Sequence, residues 1–201
     1  VPKNVSIPAS ELESAFRSGI SIDASAIAGF GEDSHSDLFL IPDSKTLSIL
    51  PWRPSQGRVV RMFCDIKLPN GEAFPLDLRG LLKKAAAEAA GKGVGCCFGA
   101  EYEFYLFKND ENGAPTSIPI DNAGYMDMAP DDLGENVRRE ICLTLAEMGI
   151  SPEASHHEEG PGQNEIDFRY SDALSAADNS VTFKTVVKTV AARNGLYACF
   201  D

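Results

Sequence analysis

The tripeptide Gly160-Pro161-Gly162, inside the stretch HHEEGPGQNEIDF (156–168), constrains the fold of this chain most strongly. Proline fixes its own φ and glycine adopts backbone angles that other residues avoid, so the three residues favour a tight chain reversal. The flanking segments SPEASHHEE and QNEIDFRYS are therefore predicted to form a hairpin. Four acids and two histidines crowd this hairpin, in a chain whose formal net charge is already -12.

Composition excludes several classes of protein. The 201 residues are 43% hydrophobic, which suits one core or two small ones. The first residues carry no basic segment followed by an apolar run, and no stretch approaches the roughly 18 apolar residues of a membrane helix. We therefore expect a cytoplasmic protein that does not associate with membranes. The sequence pI of 4.7 argues against a nucleic-acid partner.

The cysteines are odd in number and have no Cys-x-x-Cys spacing, which favours reduced thiols packed as small hydrophobic side chains. They are Cys64, Cys96, Cys97, Cys142 and Cys199.

Residues 1–72 are predicted to form a small, mostly β domain. A short helix begins with Ser10 and Glu13 in capping-box spacing. A glycine-rich loop (18–37) follows, and then two or three strands in DLFLI, TLSIL and RVVRMFCDIKL.

Residues 73–201 are predicted to alternate helices and strands. One helix covers DLRGLLKKAAAEAAGKG, and a strand covers GCCFGAEYEFYLFK. The next helix lies in PDDLGENVRREICLTLAEMG, with Asp131 as its N-cap and Gly149 at its left-handed C-terminal position. After the hairpin come a long helix from about Asp172 to Asn194 and a final apolar stretch, LYACF.

Glu101 and Glu103, in FGAEYEFYLF, point to the same face of their strand because side chains alternate along a strand. Taken alone, such a pair is typical of a solvent-exposed sheet face. If the hairpin pairs beside this strand, Glu158 and Glu165 join them and four carboxylates converge. Their repulsion then favours a hard divalent cation, Mg²⁺ or Mn²⁺, among oxygen ligands. We leave His156 and His157 outside this metal shell, as hydrogen-bonded neighbours or exposed residues.

Several strings in fixed order resemble the first part of the glutamine synthetase family of ATP-dependent ligases. They are GAEYEF, NAGYMDMAP, REICLTLAEMGISPEASHHE and GPGQNEIDFRYSDALSAADN. SDLFLIPDSKTLSILPW resembles the β-grasp domain of that family, and VTFKTVVKTVAARNGLYACF resembles its path into the catalytic domain. The implied fold is α+β: a β-grasp-like N-terminal domain followed by part of a glutamine synthetase-type catalytic α/β domain.

The resemblance also implies roles for individual residues. It assigns Glu103, Glu158 and Glu165 to the metal ion on the glutamate side and Glu101 to the metal ion that binds the nucleotide phosphates. Tyr125 lies near the ammonium pocket. Asp23, in ISIDASAIAGF, helps to bind and deprotonate the amine, on a loop that reaches the neighbouring subunit in family oligomers. The implied reaction joins ammonia to L-glutamate through a γ-glutamyl phosphate, with ATP as substrate and two or more Mg²⁺ or Mn²⁺ ions per site.

Two departures from the family pattern qualify this expectation. Asp23-Ala24-Ser25-Ala26 replaces the usual Asp-Gly-Ser-Ser. Loss of the second serine either reflects a surface loop that tolerates alanine or indicates a larger organic amine as acceptor. The chain also stops at Asp201, before the family's histidine ligand and substrate-binding arginines, so we expect a truncated form that is inactive alone.

Three hypotheses remain open from the sequence. The chain is the N-terminal part of a ligase, a non-catalytic protein with the same fold, or an unrelated metal-dependent hydrolase. The four retained glutamates argue against the second, and the lack of a candidate nucleophile argues against the third.

Overall fold

Helices and strands are mixed along the chain, which confirms the predicted α+β class. The computed structural model describes residues 2–30, 36–53 and 56–200. The α-helices are α1 (Leu12–Ser18), α2 (Leu78–Gly91), α3 (Glu135–Glu147) and α4 (Ala173–Arg193). The strands are β1 (Ile20–Asp23), β2 (Asp37–Pro42), β3 (Ser48–Ile49), β4 (Val60–Arg61), β5 (Cys64–Lys67), β6 (Cys97–Phe98), β7 (Glu101–Asn109), β8 (Pro115–Pro119), β9 (Pro152–His157), β10 (Gln163–Phe168), β11 (Ser171–Asp172) and β12 (Leu196–Cys199).

The chain forms two compact units, 1–49 with 58–96 and 50–57 with 97–201. The predicted domain division between residues 72 and 73 stays a prediction. Among the described residues, no helix has both the length and the apolar character needed to cross a bilayer.

The first unit is built around an antiparallel sheet in the order β1-β2-β5. Asp77 is the N-cap of helix α2, and its carboxylate accepts the Arg79 N–H. Asp43 and Asp65 form ion pairs with Arg79 and Lys83 of α2 at 2.7–3.3 Å. These ion pairs join α2 to β5, which contains Asp65, and to the end of β2, which Asp43 follows.

Three sequence predictions for this unit are wrong. A 3-10 turn (Ala9–Glu11) precedes α1, and no side chain caps either helix, so the Ser10–Glu13 capping box does not form. The glycine-rich segment contains β1, which pairs with β2, because cross-strand bonding outweighs local loop propensity. RVVRMFCDIKL is split into β4 and β5. Residues 31–35 of the predicted loop lie outside the described residues.

The second unit contains an antiparallel sheet in the order β12-β7-β10-β9, with β8 also paired to β7. The predicted hairpin forms: β9 and β10 pair around the Gly160-Pro161-Gly162 turn, and β10 then pairs with β7. The long helix also forms as predicted, since Asp172 caps α4 through the N–H groups of Leu174 and Ser175.

One face of this sheet packs against α3 and α4 to form the core of the unit. Phe183 of α4 is fully buried and its ring contacts the rings of Tyr102, Phe104 and Phe168. The apolar residues Leu133, Val137, Ile141, Leu145 and Met148 recur at helical spacing, which predicts a buried face. Val137, Ile141 and Leu145 are buried in α3 as predicted, whereas Leu133 lies before the helix and is exposed, and Met148 is the half-buried residue that follows it.

Three local predictions for this unit are wrong. Helix α3 begins after Gly134 and has no side-chain cap, so Asp131 is not its N-cap. The strand predicted over 95–108 is interrupted between β6 and β7. All five cysteines of the chain are free, but Cys97 of this unit, like Cys96 of the first unit, is exposed rather than packed.

Candidate functional site

Glu165 of β10 lies directly opposite Glu103 of β7 and His156 of β9 in the strand register. The alternation of the strands places these three side chains on the sheet face opposite the aromatic core. Two residues further along β10, Asp167 lies opposite Glu101 on the same face. The predicted juxtaposition of the hairpin with the Glu101/Glu103 strand is therefore present.

His156, Glu158 and Glu165 form the tightest group of possible metal ligands on this face, which we term the carboxylate cluster. Their ligand atoms all lie within 4.8 Å of one another. His156 Nε2 is 2.8 Å from Glu158 Oε1 and 3.4 Å from Glu165 Oε2. The imidazole thus contacts both carboxylates.

The two carboxylates of the cluster differ in their affinity for a proton. Burial, followed by hydrogen bonding and repulsion from Glu158 and Asp167, raises the pKa of Glu165 to about 8. Burial also acts to raise the pKa of Glu158, but hydrogen bonds from His156 and from the Glu159 N–H bring it below its usual value. A proton on Glu165 relieves the repulsion between the crowded carboxylates. A bound metal cation would relieve the same repulsion with both carboxylates ionised.

Glu103 and Glu101 lie beside the cluster rather than within it. Both are exposed, and Glu103 Oε2 accepts a hydrogen bond of 2.6 Å from Gln163 Nε2. Among the described residues, the 4.8 Å group contains neither glutamate. Their roles as metal ligands stay predictions.

Tyr125 packs its ring edge-on against His156, with 5.4 Å between ring centroids. It lies in the loop between β8 and α3. The next residue, Met126, has a positive φ of 58°, which is uncommon for a side chain of this kind. The Met126 N–H donates to the His157 carbonyl at 3.0 Å, which ties this loop to β9.

Asp23 lies at the end of β1 in the first unit. Hydrogen bonds from the Ser25 side chain and backbone, and from Ser36, lower the pKa of this exposed carboxyl. The Ser25 N–H donates to Asp23 Oδ1 at 2.9 Å, so the loop after β1 begins with an Asx turn. Its role toward an amine stays a prediction.

A buried polar network lies under the hairpin and was not predicted from the sequence. His157 and Asn164 are fully buried and paired across β9 and β10. Asp121 Oδ1 lies 3.0 Å from His157 Nε2, and Arg138 Nη1 donates to Asn164 Oδ1 at 2.6 Å. Asp132 completes the network by accepting two hydrogen bonds from Arg138. His157 and Asp121 are 36 residues apart, so no local pattern indicates this contact.

The carboxylate cluster fits a divalent cation better than the buried network does. Carboxylate oxygens are suitable ligands for Mg²⁺ or Mn²⁺, and Glu158 and Glu165 present theirs within 4.8 Å of each other on one sheet face. Asp121, Asp132 and His157 also lie within 4.8 Å of one another. The Arg138 guanidinium already pairs with Asp132, and its hydrogen bonds and charge hold the pKa of that carboxyl below its usual value despite burial. A metal cation bound in the buried network would be repelled by the positive charge of Arg138.

Comparison with known proteins gives two family matches that together span nearly the whole chain. Residues 1–69 match the glutamine synthetase β-grasp domain, and residues 75–201 match the glutamine synthetase catalytic domain. The chain belongs to the glutamine synthetase family. This confirms the resemblance drawn from the sequence, and also the predicted β-grasp-like N-terminal domain followed by part of the catalytic domain.

Curated glutamine synthetases support the same assignment. The chain is 50% identical over 198 residues to glutamine synthetase from Clostridium saccharobutylicum, covering 98% of this chain and 45% of that protein. It is 49% identical to the Methanosarcina mazei glutamine synthetase, covering 98% and 44% respectively. The chain therefore spans less than half the length of these curated relatives.

Two solved structures have a similar fold over almost the whole of this chain. An ADP complex of GmaS has a TM-score of 0.83 at 34% identity, covering 96% of this chain and 44% of that chain. A cryo-EM structure of Plasmodium falciparum glutamine synthetase has a TM-score of 0.80 at 26% identity, covering 96% and 42%.

Proposed function

We propose that this chain supplies the first half of an ATP-dependent ligase that joins ammonia to the γ-carboxylate of L-glutamate through a γ-glutamyl phosphate. The observation that carries the proposal is the carboxylate cluster, whose ligand atoms converge within 4.8 Å on a hairpin in a glutamine synthetase-family fold. Polar side chains that only keep a sheet face soluble do not have to be crowded in this way, and crowded carboxylates repel one another.

In this proposal Glu103, Glu158 and Glu165 would hold one Mg²⁺ or Mn²⁺ ion, and His156 would orient the last two carboxylates, which its Nε2 contacts. Glu101 contributes to a second ion at the nucleotide phosphates. Such ions neutralise charge, which lets anionic ATP and anionic glutamate approach each other.

The amine side of the reaction is assigned to residues outside the cluster. Asp23 holds the ammonium cation and accepts its proton, because only neutral amine attacks an acyl phosphate. Tyr125 forms part of the ammonium pocket. Family resemblance further supports a homo-oligomer, in which the Asp23 loop serves the site of a neighbouring subunit, and a cytoplasmic location without nucleic-acid or membrane partners.

The 201-residue chain alone is proposed to lack turnover. Within the described part of the chain, the side chains that contact the cluster or the neighbouring Glu103 are acids, a histidine, a glutamine and a tyrosine. Positive side chains are needed as well, because ATP and glutamate bring several negative charges to the same place. A full-length protein would supply them from residues outside this chain.

A larger organic amine is the second candidate acceptor. The observation that favours it is Ala26, an exposed residue in the Asp23 loop where the family pattern has serine. A hydroxyl near an amine pocket can donate or accept a hydrogen bond that a methyl group cannot.

The test is phosphate release by the full-length protein with ATP, glutamate and a panel of amines. Ammonia as the best acceptor by kcat/KM supports glutamine synthesis, whereas an organic amine as the best acceptor supports the second candidate. In either case Glu158→Gln and Glu165→Gln should lower kcat by about 100-fold or more, because charge stabilisation at the reacting groups is lost. Full activity in both variants would remove the proposal. No activity with any amine would favour a non-catalytic member of the fold.

A further inference from the structure

His157 is the point at which the carboxylate cluster is attached to the interior of the second unit. It neighbours both His156 and Glu158 in sequence, yet its side chain points to the opposite face of the sheet, as alternation along β9 requires. It is 0% exposed. A fully buried imidazole is retained only where its nitrogens have partners.

Both nitrogens of His157 do have partners. Nδ1 lies 2.6 Å from the backbone carbonyl oxygen of Glu158, and Nε2 lies 3.0 Å from Asp121 Oδ1. The ring therefore joins the peptide group of a cluster residue to a buried carboxylate. This contact restricts the backbone from which the Glu158 side chain projects.

Asp121 holds the other end of the same turn. Its Oδ1 also accepts the Gly162 N–H at 2.9 Å, and its Oδ2 accepts the Leu133 N–H at 2.9 Å. One carboxylate thus binds Gly162, the last residue of the turn, directly, and Glu158, two residues before the turn, through His157. The separation of Glu158 from Glu165 depends on the shape of this turn.

The backbone of His157 also contacts the loop between β8 and α3. Its carbonyl accepts the N–H of Met126, whose positive φ is a strained conformation that surrounding contacts must maintain. Tyr125, the preceding residue, packs on His156. The same histidine therefore links the turn, the strand and the loop that surround the cluster.

We propose that His157 and Asp121 are positioning residues that fix the Glu158–Glu165 geometry for divalent-cation binding. This inference rests on the proposed function, because it requires the carboxylate cluster to bind a cation. It assigns neither residue to the metal shell. Residues that orient metal ligands without touching the metal typically contribute about 10- to 100-fold in affinity.

The experiment is an EPR-detected Mn²⁺ titration of the purified chain and its variants. Asp121→Asn and His157→Ala should each bind Mn²⁺ about 10-fold more weakly or worse, with an altered line shape for the bound ion. His157→Asn places an amide near the position of Nδ1 and can still donate to the Glu158 carbonyl, so it should recover part of the lost affinity.

Val187→Ala is the control for a merely structural role. Val187 is fully buried in α4 and its side chain forms no hydrogen bond, so its truncation lowers the melting temperature without removing a hydrogen bond of the hairpin. It should leave Mn²⁺ affinity and line shape unchanged. An equal loss of affinity in Val187→Ala at a similar drop in melting temperature would overturn the inference. If His157→Ala does not fold, Asp121→Asn and His157→Asn carry the same comparison.

Glu158→Gln and Glu165→Gln separate failure of this inference from failure of the proposed function. If these two bind Mn²⁺ like the unmodified chain, the cluster is not the cation site and the proposed function loses its basis. If they bind weakly while Asp121→Asn and His157→Ala bind normally, only the positioning role is wrong.

Discussion

Glu165 lies directly opposite Glu103 across the β7–β10 pair, on the sheet face opposite the aromatic core. Like charges directly opposed across two strands are destabilising. Burial and the neighbouring carboxylates of Glu158 and Asp167 raise the pKa of Glu165 to about 8. The second unit therefore carries mutually repelling carboxylates on one face of a well-packed sheet. A cation bound to this face would offset that repulsion.

Gly162→Ala should destabilise the hairpin turn. Gly162 has a φ of 68°, and an added Cβ would lie 2.7 Å from the Leu106 backbone oxygen. Backbone strain and this clash together should lower the free energy of unfolding by at least about 2 kcal/mol, measured by urea denaturation. Gly113→Ala is the matched control, because Gly113 has a φ of 80° but open space around its Cβ position. Equal losses in both variants would mean that the contact with Leu106 is unimportant.

Phe183→Ala should remove the centre of the aromatic core. Phe183 is fully buried and its ring contacts those of Tyr102, Phe104, Phe168 and Phe200. The expected loss in unfolding free energy is about 3–5 kcal/mol, with a smaller loss for Phe183→Leu. Thermal and urea denaturation measure both. A loss below 1 kcal/mol for the alanine variant would contradict the packing described for α4.

The sequence predicted the parts of this fold that depend on local patterns. The Gly-Pro-Gly turn predicted the hairpin, and the residues Asp172 and Asn194 closely bracket α4. The core positions of α3 follow from helical spacing. These features repeat or terminate within a few residues, so composition and order are sufficient to indicate them.

Contacts between distant segments could not be predicted in this way. The Asp121–His157 contact and the packing of Tyr125 on His156 depend on how the β8–α3 loop meets the hairpin. The cluster shows the same limit: the sequence indicated Glu158 and Glu165, but not that His156 Nε2 lies 2.8 Å and 3.4 Å from their carboxylate oxygens. Strand β1 was missed because pairing with β2 overrides the loop-like composition of its segment.

Acid should weaken the first unit through Asp43. Burial acts to raise the pKa of Asp43, but hydrogen bonds from Arg79, the Lys45 backbone and Lys83 lower it overall. Because the folded pKa lies below the unfolded value, this carboxylate stabilises the fold above its unfolded pKa and ceases to do so as pH falls through the folded pKa. Asp43→Asn should therefore cost about 1–2 kcal/mol at pH 7 and progressively less toward pH 3.

Melting temperatures of the unmodified chain and Asp43→Asn across this pH range measure that difference. Glu88→Gln, which changes an exposed acid of α2, is the control and should differ little from the unmodified chain at any pH. A gap between the unmodified chain and Asp43→Asn that is constant from pH 7 to pH 3 would show that the carboxylate charge is not what ties α2 to this unit.

The most direct test of the account is a calorimetric Mn²⁺ titration of the purified chain. Glu158→Gln and Glu165→Gln each remove one carboxylate charge from the cluster, and Glu153→Gln removes an exposed one from the same strand, β9. The account predicts saturable binding by the unmodified chain and by Glu153→Gln, with affinity reduced at least about 10-fold in the two cluster variants. Equal Mn²⁺ affinity in all four proteins would contradict the assignment of a cation site to this hairpin.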